Sequence, residues 1–484
     1  MTTTCSMCGF SFCNMDRQLS PAASTESRRQ QLRSRLSELN SQFELIIAER
    51  QTLLAESEAI VYPILSLPVE TTIEIFQCCA DSETDSSPSP SKAPLLLTQI
   101  CRQWRKIALH APEVWSSLHF RDEYPVELLE LWISRSGGFP RDFSLHARDP
   151  PRAGALIETC IAHADHWWDV KIGILLSSVP QLALSGISFP MLHSVSFDIY
   201  QRIGNEVITD VITIQNAPLL REVHTLTLPD VRFNIPWWQL TTLSLRQTLD
   251  TAECIAILAG SPNLIHLTVY TNGPGSTSLV MPSLESLTCN LAGGHTILEC
   301  LTLPHLTRLT LYGIVEVAEV NVLNAFLRNS ECHLVFLSIS IPDTDRHTLM
   351  LCLRSIPDSV TEAEFSWQPR SFPRDLFAEL RSLDVLPHLA KLCLRTGRLK
   401  QYHYQSLVDM LVVRRQATPP RGPLESLSLY VKTYSQSGLD VDPRNGPNAS
   451  TMTQLRKLAS AGLKIKVTLS ARLTWSTQVV LDTV

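Results

Sequence analysis

Apolar residues recur along this chain in three rhythms, and each predicts a different element. Between residues 28 and 60, Leu32, Leu39, Ile46, Leu53 and Ile60 fall every seven positions, with Leu36 and Phe43 filling the intervening seam. That second seam fades to Arg50 and Ser57. An apolar heptad sustained over about four repeats predicts one long helix with a coiled-coil-like stripe. The stripe serves either self-association or the packing of a single amphipathic helix on its own chain.

The second rhythm is short. "SLPVETTIEIFQCC" begins at Ser66, and its Leu-Pro belongs at the start of a helix, not inside one. Residues 81–94, "DSETDSSPSPSKAP", are acidic and Ser/Pro-rich without apolar period, which predicts a solvated loop. Ser87-Pro88 and Ser89-Pro90 read either as proline-directed phosphorylation sites or as ordinary loop dipeptides. Beyond Pro94, a suitable helix start, Leu97, Ile100, Cys101, Trp104 and Ala108 share one helical face. Pro112 then opens a turn carrying Trp115 and Leu118. Three short helices hold little apolar area of their own. An exposed apolar face on so small a unit implies a permanent partner.

The third rhythm fills the rest of the chain with one phrase, L-x-x-L-x-L, as in "PNLIHLTVY", "PSLESLTCN" and "PHLTRLTLY". Its first leucine falls at 240, 264, 284, 306, 334, 389 and 424, with degenerate copies at Leu192, Leu220 and Val360. Each phrase predicts a short strand with its first, fourth and sixth positions inward. Apolar stretches such as "AECIAILAG" cover the other side. One unit cannot bury such a face alone, so the units stack into a parallel sheet. The middle outward position reads Ser244, Thr268, Thr288, Thr310, Ser338, Cys393 and Ser428, all small. Arg246, Tyr270, Asn290, Tyr312, Ser340, Arg395 and Tyr430 follow at the next outward position, and Arg308 precedes the small column. Hydroxyls flanked by Tyr and Arg suit a protein-binding wall. They also suit any exposed strand, on propensity alone.

Composition narrows the classes. The 484 residues are too many for one simple core. A formal charge of −6 gives no electrostatic reason to expect nucleic acid or an anionic membrane. No apolar run approaches the ~20 residues of a membrane helix. The N-terminus lacks a signal-peptide pattern, and 13 scattered cysteines read as reduced thiols, which predicts a cytoplasmic and/or nuclear protein. Phosphate-loop, zincin and nucleophile-elbow motifs are missing. Cys5, Cys8 and Cys13 fall short of the four ligands of a structural zinc site. His163, His166 and Asp169 would share a helix face if the preceding helix continued; the alternative is a helix end before a strand at Val170, Ile172 and Ile174. No metal, cofactor or catalytic residue is assigned.

Leu67, Pro68, Glu70, Ile75, Phe76, Ile100, Cys101, Trp104, Trp115 and Leu118 match in order and spacing the pattern of the F-box proteins, which this segment resembles. Helix, box and leucine-rich tail together resemble the expanded F-box families of fungi. Thr71 stands where the family usually has an aliphatic residue, and the loop after the first helix is longer than usual. The repeats resemble leucine-rich repeats in their 20–28-residue interval, with only Asn272 at the asparagine-ladder position. The resemblance implies a non-enzymatic substrate receptor of a Skp–cullin–F-box ubiquitin ligase. Leu67, Pro68, Val69, Ile75, Phe76 and Ile100 would then meet the Skp-type adaptor, and through it a cullin; Trp104 is core. Arg246, Tyr270, Arg308, Tyr312, Arg395 and Tyr430 would meet the target protein. The alternative is a protein-interaction scaffold outside any ligase, with a degenerate box. The expected organisation is an α/β chain: a disordered tail over 1–27, the heptad helix over 28–61, and an F-box over 62–119 with loop 81–94. A leucine-rich-repeat-like solenoid with a parallel sheet on its concave face occupies 120–484.

Overall fold

In the computed structural model, the residues described are 3–4, 11–12, 21–59, 63–81, 87–139, 141–182, 184–201, 211–226, 232–275, 277–291, 296–314, 316–341, 346–367, 372–373, 375–397, 399–417, 422–432, 446–470 and 479–480. The chain forms two compact units, residues 1–74 and 75–484.

In the first unit, Thr3–Thr4 pairs antiparallel with Ser11–Phe12. A single helix, α1, then runs over Pro21–Ala59. It starts upstream of the expected residue 28, and Pro21 at its first position is well placed there because that N–H has no helical partner in any case. The heptad residues Leu32, Leu36, Leu39, Phe43, Ile46 and Leu53 are all exposed. Ile60 lies outside the described residues. Helix α2, Val69–Asp81, begins directly after Pro68 and carries the chain into the second unit. Most of the acidic segment expected as a loop, 82–86, lies outside the described residues.

The second unit opens with α3, Leu97–Ile100, and α4, Arg102–His110. The sequence predicts one helix here, and the structure has two. Cys101 takes an extended conformation (φ −153°, ψ 169°), and its Sγ accepts a hydrogen bond from Trp104 N at 3.4 Å, capping α4. The break turns Ile100 off the face that Trp104 and Ala108 share.

A 15-stranded sheet dominates the rest, beside two short two-stranded ones, Val211–Thr213 with Arg232–Asn234 and Leu279–Val280 with Leu301–Thr302. Its strands run in chain order, with each new strand laid beside the previous one. They are β1 Ser117–Arg121, β2 Arg141–Ala147, β3 Trp167–Leu175, β4 Ser194–Tyr200, β5 Glu222–Leu226, β6 Thr242–Asp250 and β7 His266–Asn272. There follow β8 Ser286–Asn290, β9 Arg308–Tyr312, β10 Phe336–Ile341, β11 Glu362–Trp367, β12 Lys391–Thr396, β13 Ser426–Lys432 and β14 Lys464–Ser470. All fourteen are parallel, and β15 (Val479–Val480) closes the edge antiparallel to β14.

Every first-position residue of the phrase, from Leu192 through Leu424 and including Val360, is fully buried. The strand itself begins two residues later. Behind it, the fourth and sixth positions form continuous rows, Leu243-Leu267-Leu287-Leu309-Leu337 and Leu245-Val269-Cys289-Leu311-Ile339. Helices between strands cover these rows; α5 is Val126–Ser136, α6 Pro150–Ile161 and α7 Thr251–Ala259. Helix α7, expected from "AECIAILAG", buries Cys254, Ile255 and Leu258. Later covers are α8 Val317–Ser330, α9 Arg346–Ser355, α10 Leu376–Arg381, α11 Gln401–Arg415 and α12 Ala449–Ser460.

The row begins earlier than the leucines do. Trp115, Leu118 and Phe120 occupy the same three inward positions on β1, and Trp167, Val170 and Ile172 do so on β3. Trp115 packs edge-on against Trp132 at 4.8 Å, and its Nε1 donates to Ala108 O at 2.7 Å. The last tryptophan of the box pattern is thus also the first inward residue of the sheet. Helix α6 stops at Ile161, so His163 and His166 do not share its face; the expected strand at Val170, Ile172 and Ile174 is β3. Cys5, Cys8 and Cys13 lie outside the described residues.

Candidate protein-binding surfaces

The residues expected to meet an adaptor divide sharply by burial. In the first unit, Pro68 and Val69 are exposed, Val69 by 50%, and Leu67 is half-buried. Thr71, where the family pattern wants an aliphatic residue, is exposed; Thr72 is buried, with its N–H and hydroxyl both reaching Pro68 O at 3.0 Å. In the second unit, Ile100 is 53% exposed, with Leu96 one turn away at 40%. Ile75 is half-buried. Phe76 has no exposed surface: its ring meets Trp104 edge-to-face at 5.0 Å. Phe76 is core, for the ordinary reason that an aromatic ring one turn beyond a buried Thr72 follows the inward face of α2. Leu96, which no sequence argument singled out, takes its place among the exposed apolar side chains.

The open face of the sheet is the second surface. Register places one outward column across the strands without interruption: His119, Ser144, Lys171, Ser196, His224, Ser244, then Thr268, Thr288, Thr310 and Ser338. Glu364 comes next, before Cys393 and Ser428. The small column read from the leucine phrases is therefore a run of five hydroxyls, Ser244 to Ser338, with charged strands on both sides. Glu364 interrupts it on the repeat that starts at Val360.

The six expected wall residues behave differently. Tyr270 and Tyr312 stand beside the hydroxyl run with ring centroids 5.9 Å apart. Burial and the neighbouring Tyr312 push the Tyr270 hydroxyl above its ordinary pKa. Arg308 lies over Phe336 at 4.0 Å. Arg395 lies over Tyr430 at 4.8 Å, and its Nε donates to Glu364 Oε1. Beside it, Lys391 Nζ holds Glu362 Oε1 at 2.6 Å. Arg395 is therefore half of an ion pair on the wall. Glu362 and Glu364, which no sequence argument singled out, supply the carboxylates.

Arg246 is not in line with Tyr270. A bulge after Leu245 puts Thr248 opposite Tyr270 instead, and Arg246 joins Lys171, Ser196, Asp198, His224 and Ser244 around a groove of about 350 Å³. Lys171, Asp198 and His224 belong to strands whose later inward residues are Val, Ile, Phe and Thr rather than Leu, and no sequence argument singled them out. Asn290 is also reassigned. Its Oδ1 accepts from Thr271 N at 2.9 Å and its Nδ2 donates to Thr271 O at 3.0 Å, tying β8 to β7. Asn272, at the position of the asparagine ladder, lends its backbone carbonyl to Thr251 Oγ1 at 3.0 Å. Near the first strands, His146 stacks across Gly173, where a Cβ would come within 2.6 Å of its ring; burial holds this imidazole below its ordinary pKa.

Among the described residues, no cluster of three or more His, Cys, Asp or Glu could hold a metal ion, and no helix is long and apolar enough to cross a membrane. His166 Nε2 sits 3.3 Å from Asp165. No protein family and no curated protein matches this chain.

Proposed function

We propose that this chain is a substrate receptor of a Skp–cullin–F-box ubiquitin ligase. The observation that carries the reading is the pairing of Ile100 with Cys101. A cysteine cap turns a helix at the point where the box pattern has its Cys, and that turn leaves Ile100 and Leu96 exposed above a Phe76–Trp104 core. Bare aliphatic side chains on so rigid a support are the form that a docking face takes. Leu67, Pro68 and Val69 in the first unit carry the Leu-Pro turn of the same pattern. The parallel strands, laid down in chain order, support a leucine-rich-repeat-like solenoid whose open face would hold the target.

In this reading the chain makes and breaks no bonds. It raises the local concentration of a target lysine near the loaded conjugating enzyme, which is catalysis by proximity. The five-hydroxyl run with Tyr270 and Tyr312 is the neutral part of the target surface. The groove with Lys171, Asp198, His224 and Arg246 is the charged part, the one that selects a partner by electrostatic complementarity.

A scaffold with a degenerate box is the second reading, favoured by two particulars: Thr71 is polar and Phe76 is withdrawn from the surface. Co-purification with a Skp-type adaptor separates the two. The receptor reading expects 1:1 recovery that is lost in a Leu67→Ala/Pro68→Ala chain. A folded chain that recovers no adaptor leaves the scaffold.

A further inference from the structure

Among the described residues, the heptad leucines, isoleucine and phenylalanine of α1 are exposed. Leu32, Leu36, Leu39, Phe43, Ile46 and Leu53 are each between 46 and 63% exposed. An apolar stripe of this length, on a helix of 39 residues, is a liability in water unless another helix covers it. Its own charges say what that other helix is.

Numbered as a heptad, Leu32, Leu39, Ile46 and Leu53 hold the d positions. Arg29, Leu36, Phe43, Arg50 and Ser57 hold the a positions, and Arg28, Arg35, Gln42, Glu49 and Glu56 flank them at g. A parallel in-register pair would set Arg29 against Arg29 and Arg50 against Arg50 inside the seam. It would also bring Arg28 beside the partner's Arg33. Like charges facing one another in that way are costly.

Reversing one helix removes every one of these conflicts. The layers become Leu36 with Ile46 and Phe43 with Leu39, each occurring twice by symmetry. Arg50 then lies over Leu32 and Arg29 over Leu53, so that each arginine stem covers a leucine while its guanidinium reaches water. At the flanks Arg28 meets Glu56, Arg35 meets Glu49, and Gln42 meets Gln42. The helix as a whole agrees: residues 21–40 carry four arginines against two glutamates, and residues 41–59 carry one arginine against four glutamates. Two such helices attract head to tail and repel head to head. Arg35 already touches Glu38 of its own helix at 2.6 Å, but both are exposed and the contact is weak.

We propose that a second copy of this chain docks antiparallel on the heptad face of α1, through Leu36, Leu39, Phe43 and Ile46, with Arg35 facing Glu49 of the other copy. The seam is isologous, as a twofold dimer requires. It does not depend on adaptor binding.

Sedimentation velocity on the full chain over a concentration series tests it. The wild type is expected to dimerise, and Phe43→Asp to be monomeric with the helix content and melting temperature of the second unit unchanged. Leu45→Asp, on an exposed residue outside the seam, is expected to dimerise as the wild type does. Arg35→Glu and Glu49→Arg are each expected to weaken the dimer by roughly tenfold, since two pairs per dimer change sign. The doubly reversed chain regains wild-type affinity. A chain that stays monomeric with α1 helical overturns the proposal, as does a dimer indifferent to Phe43→Asp. A dimer lost in Phe43→Asp but not restored by the double reversal has another orientation, and overturns it equally.

Discussion

Phe76 and Ile100 belong to one short sequence signature, yet the structure gives them opposite physical roles. Phe76 is enclosed against Trp104, while Ile100 is more than half exposed on the far side of the Cys101 turn. Truncating Phe76 to alanine should therefore leave a cavity and cost about 3–5 kcal/mol. Ile100→Asp should move stability by no more than about 0.5 kcal/mol, as surface changes do. Urea unfolding of the two variants checks this, and equal losses would show that Ile100 is packed after all. At this scale the sequence is a partial guide. Identity and spacing locate all the residues of the signature, but which way each points depends on where the helix breaks. That break rests on a thiol cap, a weak local signal.

Among elements, the strands were the most legible part. A leucine at the first, fourth and sixth positions is a pattern that only an inward-facing strand and its approach can satisfy, and the first leucines from Leu240 to Leu424 are buried. Less legible were the strands that depart from the full leucine phrase, of which the sequence offers only a degenerate copy at Val360 and an alternating run at Val170, Ile172 and Ile174. β1 uses Trp115, Leu118 and Phe120 for the same three positions, β3 uses Trp167, Val170 and Ile172, and β11 uses Val360, Ala363 and Phe365. The outward residues of those strands, Lys171 and Glu364 among them, were lost from view with them. The bulge after Leu245 was equally invisible, since nothing in the phrase records an extra residue pair. Asn290 tests the assigned architecture at this scale. Its amide serves the backbone of Thr271 in both directions, so Asn290→Leu should cost about 1–3 kcal/mol. Exchange of the Thr271 amide, measured by hydrogen–deuterium exchange over β7, should rise selectively. Unchanged protection there would mean that the side chain is not what holds the two strands together.

For the molecule as a whole, the reading turns on which surfaces are closed and which are open. Thiol chemistry reports that directly. Burial pushes the thiols of Cys160, Cys254 and Cys352 up to about 12, and raises Cys289 as well. Cys78 and Cys79 on α2 are exposed. Only thiolates react, so native alkylation at pH 8 followed by peptide mapping should mark Cys78 and Cys79 before the four buried thiols, which stay unmodified until denaturant is added. Native labelling of Cys254 as fast as Cys78 would contradict the packing described. The sequence supplied the order of these parts, long helix, short helices and stacked strands, because each has its own period. It was silent on what the heptad stripe faces, because an apolar face looks the same whether its partner is the same chain or another.

The adaptor is the partner on which the proposed function stands. The measurement that bears on it most directly is a calorimetric titration of a Skp-type adaptor into the intact chain, beside Ile100→Asp with its folding verified. The receptor reading predicts a 1:1 complex that Ile100→Asp weakens by at least tenfold. No binding by the folded wild type, or equal affinity in the two chains, would contradict it.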